Sequence, residues 1–200
     1  MAKTKRFIDT EDFRSVMDRL VGVLQFTPWC MIGGRAVEVW TNPPQTPDID
    51  ILAEVSPRSI RKIEDAMKAY KFALDRRFGG SGMAPMWFFK DTITGTEVDI
   101  IGAYESVHVW AIERSVQHKI KDGPKIMVAQ AEDVIVLKAN AACSPGRGVK
   151  AEHDIEAIKA IAENKKNNID ADYIVTVLLM ASTSADWDDE AKLLHKLGVI

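Results

Sequence analysis

The chain has 200 residues, of which 46% are hydrophobic, enough to form the core of one large domain or two small ones. This composition excludes a disordered chain, a collagen-like repeat and a small scaffold that depends on disulfides. The formal net charge is −3, so no overall basic excess favours binding to nucleic acid or to anionic membranes. Any nucleic acid would have to be bound through a local patch.

Cysteine use and hydropathy indicate a reducing compartment. Cys30 lies in an apolar stretch and Cys143 beside a Pro-Gly turn, a usage that favours free thiols over a disulfide framework. No apolar core of a signal peptide follows the basic residues at the start of the chain. The longest apolar run, Val175–Ala181, is far shorter than the roughly 20 residues that cross a bilayer. We therefore expect a cytoplasmic protein.

Apolar periodicity predicts the elements of the first 130 residues. Helical spacing predicts one helix over Glu11–Leu24, a short one over Arg35–Trp40 and a third that begins at Pro57. Short apolar or alternating segments predict the strands Trp29–Ile32, Asp48–Leu52, Phe72–Leu74, Met86–Lys90, Glu97–Ile101, Val116–Ile120 and Lys125–Ala129.

From Glu132 onward the pattern is helical, apart from two loops. We therefore predict an α+β protein with two parts. Residues 1–130 would form a mixed β-sheet with flanking helices, and residues 131–200 a helical C-terminal region.

Two aspartates alternate with apolar residues in the segment Asp48-Ile49-Asp50-Ile51. In a strand the isoleucines face the core, and the aspartates project from the other face about 6–7 Å apart. A divalent cation relieves the repulsion between two such charges, and hard oxygen ligands suit Mg²⁺ or Mn²⁺. The pair alone is also consistent with an ordinary acidic strand edge.

A second acidic strand repeats this pattern. In the segment Glu97-Val98-Asp99-Ile100 the two apolar residues face inward, so Asp99 shares the outer face with Glu97. If this strand neighbours the one that carries Asp50, Asp99 completes a site of three carboxylates.

The glycine pair Gly33-Gly34 lies where a strand is predicted to end and a helix to begin. Bare backbone N–H groups and the positive end of a helix dipole then point at one place, which favours a phosphate, although a plain tight turn needs the same residues. Together with the carboxylates, the pair describes a site that holds a triphosphate, bridges it by metal to two aspartates and keeps a third acid beside an attacking hydroxyl. This is the chemistry of nucleotidyl transfer.

Three segments resemble the signature of the DNA polymerase β-like nucleotidyltransferase superfamily: Met31-Ile32-Gly33-Gly34-Arg35-Ala36-Val37, Thr46-Pro47-Asp48-Ile49-Asp50-Ile51 and Glu97-Val98-Asp99-Ile100. Within the superfamily the chain is most similar to the bacterial abortive-infection type, some of which are toxins of toxin–antitoxin pairs. The likeness reaches about Ile161. It includes a lysine, an Arg-Gly-x-Lys turn and an acid at Lys138, Arg147, Gly148, Lys150 and Asp154.

The resemblance implies a nucleotidyltransferase fold and a function. Asp48, Asp50 and Asp99 would be catalytic and would bind Mg²⁺ or Mn²⁺, with Asp99 as third ligand or base. The nucleotide-binding residues would be Gly33, Gly34, Arg35, Thr46, Lys138 and Lys150. The substrate would be a nucleoside triphosphate (NTP), and the acceptor an RNA end, a protein or a small molecule. An antitoxin protein would be a partner if the chain is a toxin.

The chain departs from the family pattern at Pro43-Pro44-Gln45, where many relatives carry an arginine before the threonine of the second motif. Arg35 is the candidate to supply that charge. The departure leaves open a second function, a module that binds NTP without transferring it, and a structural domain with acidic strand edges is a third. Among the aromatic residues, we expect Trp87 to stack a base because it adjoins the glycine-rich connector Gly79–Gly82.

Overall fold

The computed structural model describes residues 11–41, 47–55, 57–79, 84–182 and 187–200. The helices are α1 (Glu11–Leu24), α2 (Gly33–Thr41), α3 (Pro57–Ala69), α4 (Ser106–Glu113), α5 (Ala131–Cys143), α6 (Val149–Glu163), α7 (Ala171–Ala181) and α8 (Asp188–Lys196). The strands are β1 (Trp29–Ile32), β2 (Ile49–Ala53), β3 (Phe72–Phe78), β4 (Met86–Asp91), β5 (Glu97–Gly102), β6 (Val116–Lys119) and β7 (Lys125–Val128).

The seven described strands form one mixed sheet in the order β3-β4-β5-β2-β1-β7-β6. β2 runs antiparallel to β1 but parallel to β5, and β1 runs parallel to β7. The predicted α+β class with a mixed sheet and flanking helices is therefore confirmed. The parallel pairing of β2 with β5 brings the two acidic strands of the sequence side by side at the centre of the sheet.

Helices α1 and α3 pack on the face of the sheet opposite the acidic side chains. Arg19 of α1 reaches Asp91 of β4 with two hydrogen bonds, from Nη1 to Oδ1 at 2.6 Å and from Nη2 to Oδ2 at 2.9 Å. Arg77 of β3 similarly pairs with Glu64 of α3 at 2.8 Å. The apolar side chains of the central strands are buried beneath these helices, so this face is the main core of the sheet.

Helix α4 lies on the other face, against β1 and β2, and α5 packs against α4. The buried thiol of Cys30 on β1 contacts the backbone oxygen of Ala111 in α4, and burial raises the pKa of that thiol to about 12. α5 also packs against α2, α6, α7 and α8. None of the described helices has both the length and the apolar character that crossing a bilayer requires. The division into residues 1–130 and 131–200 stays a prediction.

Two elements differ from the sequence prediction. Helix α4 was not predicted, because Val107, Val109 and Trp110 give it no single apolar stripe and two of them are β-branched. Strand β3 continues to Phe78 rather than ending at Leu74, and a bulge between Leu74 and Arg76 shifts its register against β4. The bulge decides which of its polar residues share a face with the carboxylates.

Candidate active site

Asp50 and Asp99 occupy the same register position on the parallel pair β2 and β5. Side chains at one register position of neighbouring strands project from the same face of a sheet. Asp48 lies in the bend that precedes β2, two residues from Asp50. Its negative charge acts on both other carboxylates. The structure therefore brings together the three acids that the sequence predicted.

The glycine pair stands directly beside Asp50. Gly33 begins α2 with a φ of +65°, and a Cβ at this position would lie 1.9 Å from Asp50 Oδ2. Glycine is therefore required here both for its backbone conformation and for the space that the carboxylate fills. Asp50 accepts a hydrogen bond from the Gly34 N–H. The backbone groups predicted to cradle phosphate do face the carboxylate site.

The pKa of Asp50 is raised to about 7, by burial first and then by the negative charges of Asp48 and Asp99. The Lys138 ammonium and the Gly34 N–H act in the opposite direction, because each favours the ionised carboxylate. Lys138 extends from α5, and its effect on Asp50 places a cation of the helical region within electrostatic reach of the catalytic candidates.

The pKa of Asp99 is raised to about 6 by burial first, and then by the charges of Asp48 and Glu97. Two cations partly offset this shift, Arg76 of β3 and Lys150 of α6. A carboxylate with a pKa just below neutrality is ionised at pH 7 and still basic enough to accept a proton.

A buried acid organises the basic residues of the helical region. The Asp154 carboxylate is 2% exposed and accepts hydrogen bonds from Lys138 Nζ at 2.6 Å and Arg147 Nε at 2.8 Å. These two donors hold the pKa of Asp154 below its usual range despite its burial. Asp154 thus holds two cations in place, of which Lys138 acts on Asp50.

The carboxylates have the right chemistry for a divalent cation. Within the described residues, Asp48 Oδ1 is buried and has no hydrogen-bond partner, so it is a hard oxygen donor in need of a cation. No three His, Cys, Asp or Glu side chains of the described ranges are close enough to enclose a metal ion. Carboxylate oxygens suit Mg²⁺ or Mn²⁺ by their chemistry, but a site of three ligands is not formed among the described residues, and Asp50 accepts from the Gly34 N–H.

Of the predicted nucleotide-binding residues, Arg35 is not brought to the carboxylates. Arg35 is 3% exposed, pairs with Glu38 at 3.2 Å and lies over the ring of Phe13. This position makes it part of the packing between α1 and α2, and its role toward a nucleotide stays a prediction. Thr46 and the segment Pro43-Pro44-Gln45 lie outside the described residues.

Comparison with solved structures reveals the same fold at low sequence identity. The antigenic nucleotidyltransferase-like protein from Paracoccidioides brasiliensis superposes with a TM-score of 0.51 at 15% identity, and 91% of each chain is covered. The antibiotic-resistance factor ANT(2'')-Ia superposes with a TM-score of 0.56 at 11% identity, covering 94% of this chain and 98% of that one. The chain has a nucleotidyltransferase fold.

A second structure of ANT(2'')-Ia, in complex with adenylyl-2''-tobramycin, has a TM-score of 0.55 at 11% identity and covers 91% of this chain and 97% of that one. No protein-family model and no curated protein sequence matches the chain. The superfamily inferred from the motifs is supported at the level of the fold, and the abortive-infection type stays a prediction.

Sequence reasoning missed one part of the site, the row that Arg76 and Phe88 form beside Asp99. The preferred aromatic residue, Trp87, is instead 9% exposed on the core face, opposite Ile100. Its neighbour Phe88 is opposite Asp99, because successive residues of a strand point to opposite faces. The sequence of β4 begins with four apolar residues in a row, so its pattern did not show which of them face the site.

Proposed function

We propose that this chain is a metal-dependent nucleotidyltransferase that moves a nucleoside monophosphate from an NTP to a hydroxyl acceptor. The observation that carries the proposal is the convergence of three carboxylates and a helix-starting glycine pair on one face of the sheet. Charge effects of Lys138 on Asp50 and of Lys150 on Asp99 add cations to the same place. A structural domain has no need to gather mutually repelling acids beside a glycine pair.

In this mechanism the Gly33 and Gly34 backbone and the positive end of α2 bind the triphosphate. Asp48, Asp50 and Asp99 would hold Mg²⁺ or Mn²⁺, which supplies charge neutralisation at the phosphoryl oxygens when bound. Lys138 and Lys150 approach the same phosphates from the helical region.

The chemical step is a displacement at the α-phosphorus. The acceptor oxygen forms a bond to that phosphorus. The bond from the phosphorus to the oxygen that bridges to the β-phosphate breaks, and pyrophosphate leaves with the bonding electron pair. Asp99 accepts the hydroxyl proton and releases it to water.

The test follows label from each α-labelled NTP, with Mg²⁺ or Mn²⁺, into total RNA, cell protein or a small-molecule extract. We expect wild-type protein to transfer label and Asp50→Asn to transfer none. Asp65→Asn is the matched control, because Asp65 is exposed on α3 in the layer behind the sheet. NTP binding without any transfer would support the alternative, a binding module that has lost activity. The absence of both binding and transfer would contradict the two functions together.

A role as the toxin of a toxin–antitoxin pair rests on the family resemblance alone. It predicts growth arrest when the wild-type chain is expressed in bacteria and normal growth with Asp50→Asn at equal expression. Relief of the arrest by a co-expressed neighbouring gene would identify the antitoxin.

A further inference from the structure

Four residues form one row across the sheet: Arg76 of β3, Phe88 of β4, Asp99 of β5 and Asp50 of β2. Each is the register partner of the next, so their side chains share the face that carries the site. At about 4.8 Å per strand, Phe88 lies about 5 Å and Arg76 about 10 Å from Asp99 along this row. The Arg76 guanidinium carbon lies 4.3 Å from the centroid of the Phe88 ring.

The row places Arg76 and Phe88 on the acceptor side of the proposed reaction. The glycine pair follows β1, on the other side of Asp50, and so the triphosphate occupies the β1 end of the row. In an in-line displacement the attacking oxygen approaches opposite the leaving pyrophosphate. An acceptor therefore reaches Asp99 across β4 and β3.

The surface of β3 and β4 on this side combines aromatic rings with a cation. Phe78, two residues beyond Arg76 on the same face, is 56% exposed, and its register partner Met86 is half-buried. Arg76 is exposed, and its charge reaches Asp99. We call Arg76, Phe78 and Phe88 the β3–β4 platform.

This combination is what single-stranded nucleic acids require. Bases stack on aromatic rings or on a guanidinium plane, while a guanidinium also pairs with phosphate. A polycationic acceptor would meet the like charge of Arg76 at the β3 end of the row and the opposite charges of Asp99 and Asp50 at its other end. Glu97 and Lys90 face each other in the adjacent row, so this neighbouring pair adds no net charge to the platform.

We propose that the β3–β4 platform binds the terminal nucleotide of a single-stranded nucleic acid, and that a hydroxyl of its terminal sugar is the acceptor of transfer. The inference rests on the proposed function and narrows its acceptor class. The terminal hydroxyl oxygen forms the new bond to the α-phosphorus, pyrophosphate leaves, and the hydroxyl proton passes to Asp99. The product is the same strand extended by one nucleotide.

The test measures binding and extension of short 5′-fluorescein-labelled RNA and DNA of one sequence, with either a free or a phosphorylated 3′ end. The variants are Arg76→Gln and Phe78→Ala. Arg77→Gln is the matched control for the first, because Arg77 lies on the opposite face of β3 in a pair with Glu64. Phe26→Ala is the control for the second, because Phe26 is 46% exposed outside the site. Binding of a fluorescent NTP is measured on every variant.

We expect Arg76→Gln to weaken oligonucleotide binding about tenfold. The slope of log affinity against log salt concentration should fall by about 1, the value for one lost phosphate contact. Phe78→Ala should weaken binding about fivefold or more through lost stacking. NTP affinity should be unchanged in both, and both controls should match wild type. The 3′-phosphorylated strands should bind without being extended, and the relative extension of RNA and DNA identifies which nucleic acid is preferred.

Three results would overturn the inference. In the first, label passes to protein or to a small molecule and oligonucleotide binding does not depend on Arg76. This result would support the proposed transferase function and exclude a nucleic acid as its acceptor. In the second, the platform variants lose NTP affinity, which would show that the platform binds the substrate NTP and not the acceptor. Oligonucleotide binding that depends on Arg76 in a protein that transfers nothing contradicts both the acceptor assignment and the proposed function.

Discussion

Asp50 and Asp99 are register partners on the parallel strands β2 and β5. The charge of Asp99 raises the pKa of Asp50, and the charge of Asp48 raises the pKa of both. Folding brings these like charges together from strands that are far apart in the chain. The arrangement opposes stability at neutral pH and is useful only when a cation or a proton is bound there. Function and stability therefore conflict at this pair.

Asp99→Asn is expected to abolish transfer and to stabilise the fold at neutral pH. The folded-state pKa of about 6 lies above the ordinary value near 4, so the carboxylate lowers stability as pH rises through 6. The full shift would correspond to about 3 kcal/mol, and because water screens this half-buried charge, its removal should add about 1–2 kcal/mol, or about 2–8 °C in Tm, above pH 7. Thermal unfolding should show the gain disappear below about pH 4. An equal gain at both pH values would exclude ionisation as its cause.

Asp154→Asn is expected to have the opposite effect. Asp154 is 2% exposed and its pKa is lowered by Arg147 and Lys138, so its charge stabilises the fold above the ordinary pKa and that contribution is lost as pH falls. Urea unfolding at pH 7 should show a loss of about 3 kcal/mol, shrinking in acid.

Asp189→Asn provides the comparison for Asp154→Asn. Asp189 makes a surface pair with Lys192, and its side chain is 80% exposed, so the change should stay within about 0.5 kcal/mol. A similar loss of unfolding free energy in both variants would show that the buried ion pairs of Asp154 stabilise the fold no more than a surface pair does.

Gly33→Ala tests the close approach of Asp50 to the glycine pair. A Cβ at Gly33 would strain a φ of +65° and collide with the Asp50 carboxylate. We expect transfer and NTP binding to be lost, with stability reduced by more than about 1 kcal/mol. Gly146→Ala separates the two effects, because Gly146 has a φ of +78° but no heavy atom within 4 Å of its Cβ position. It should lose stability while keeping NTP affinity.

Arg19→Gln tests the anchor between α1 and β4. The change leaves the Asp91 carboxylate, which is 0% exposed, without its two guanidinium hydrogen bonds. We expect the free energy of unfolding, measured by urea titration, to fall by about 3–5 kcal/mol. Arg77→Gln, which breaks a pair that is 60% exposed at the arginine, should cost less than about 1 kcal/mol.

Most elements could be predicted because the spacing of their apolar residues matches the face of the helix or strand that is buried. Helix α1 and strand β1 have the predicted bounds, and the glycine pair does start a helix. The pairing of Asp50 with Asp99 was predicted only as a condition, since sequence patterns do not determine which strands are neighbours. The platform residue Arg76 was missed because Asp75-Arg76-Arg77 has the composition of a turn and the bulge in β3 is a tertiary feature.

The candidate site draws its parts from α2, β2, β5, α5 and α6, and the cations of α5 and α6 come last along the chain. A nascent or truncated chain that stops before Lys150 contains all three carboxylates but lacks a cation that offsets their repulsion. Such a fragment keeps Lys138 and Arg76 but loses Lys150, so the ionised form of Asp99 has one favourable charge interaction fewer. We therefore expect a chain that ends before Lys150 to ionise Asp99 less readily than the whole chain does.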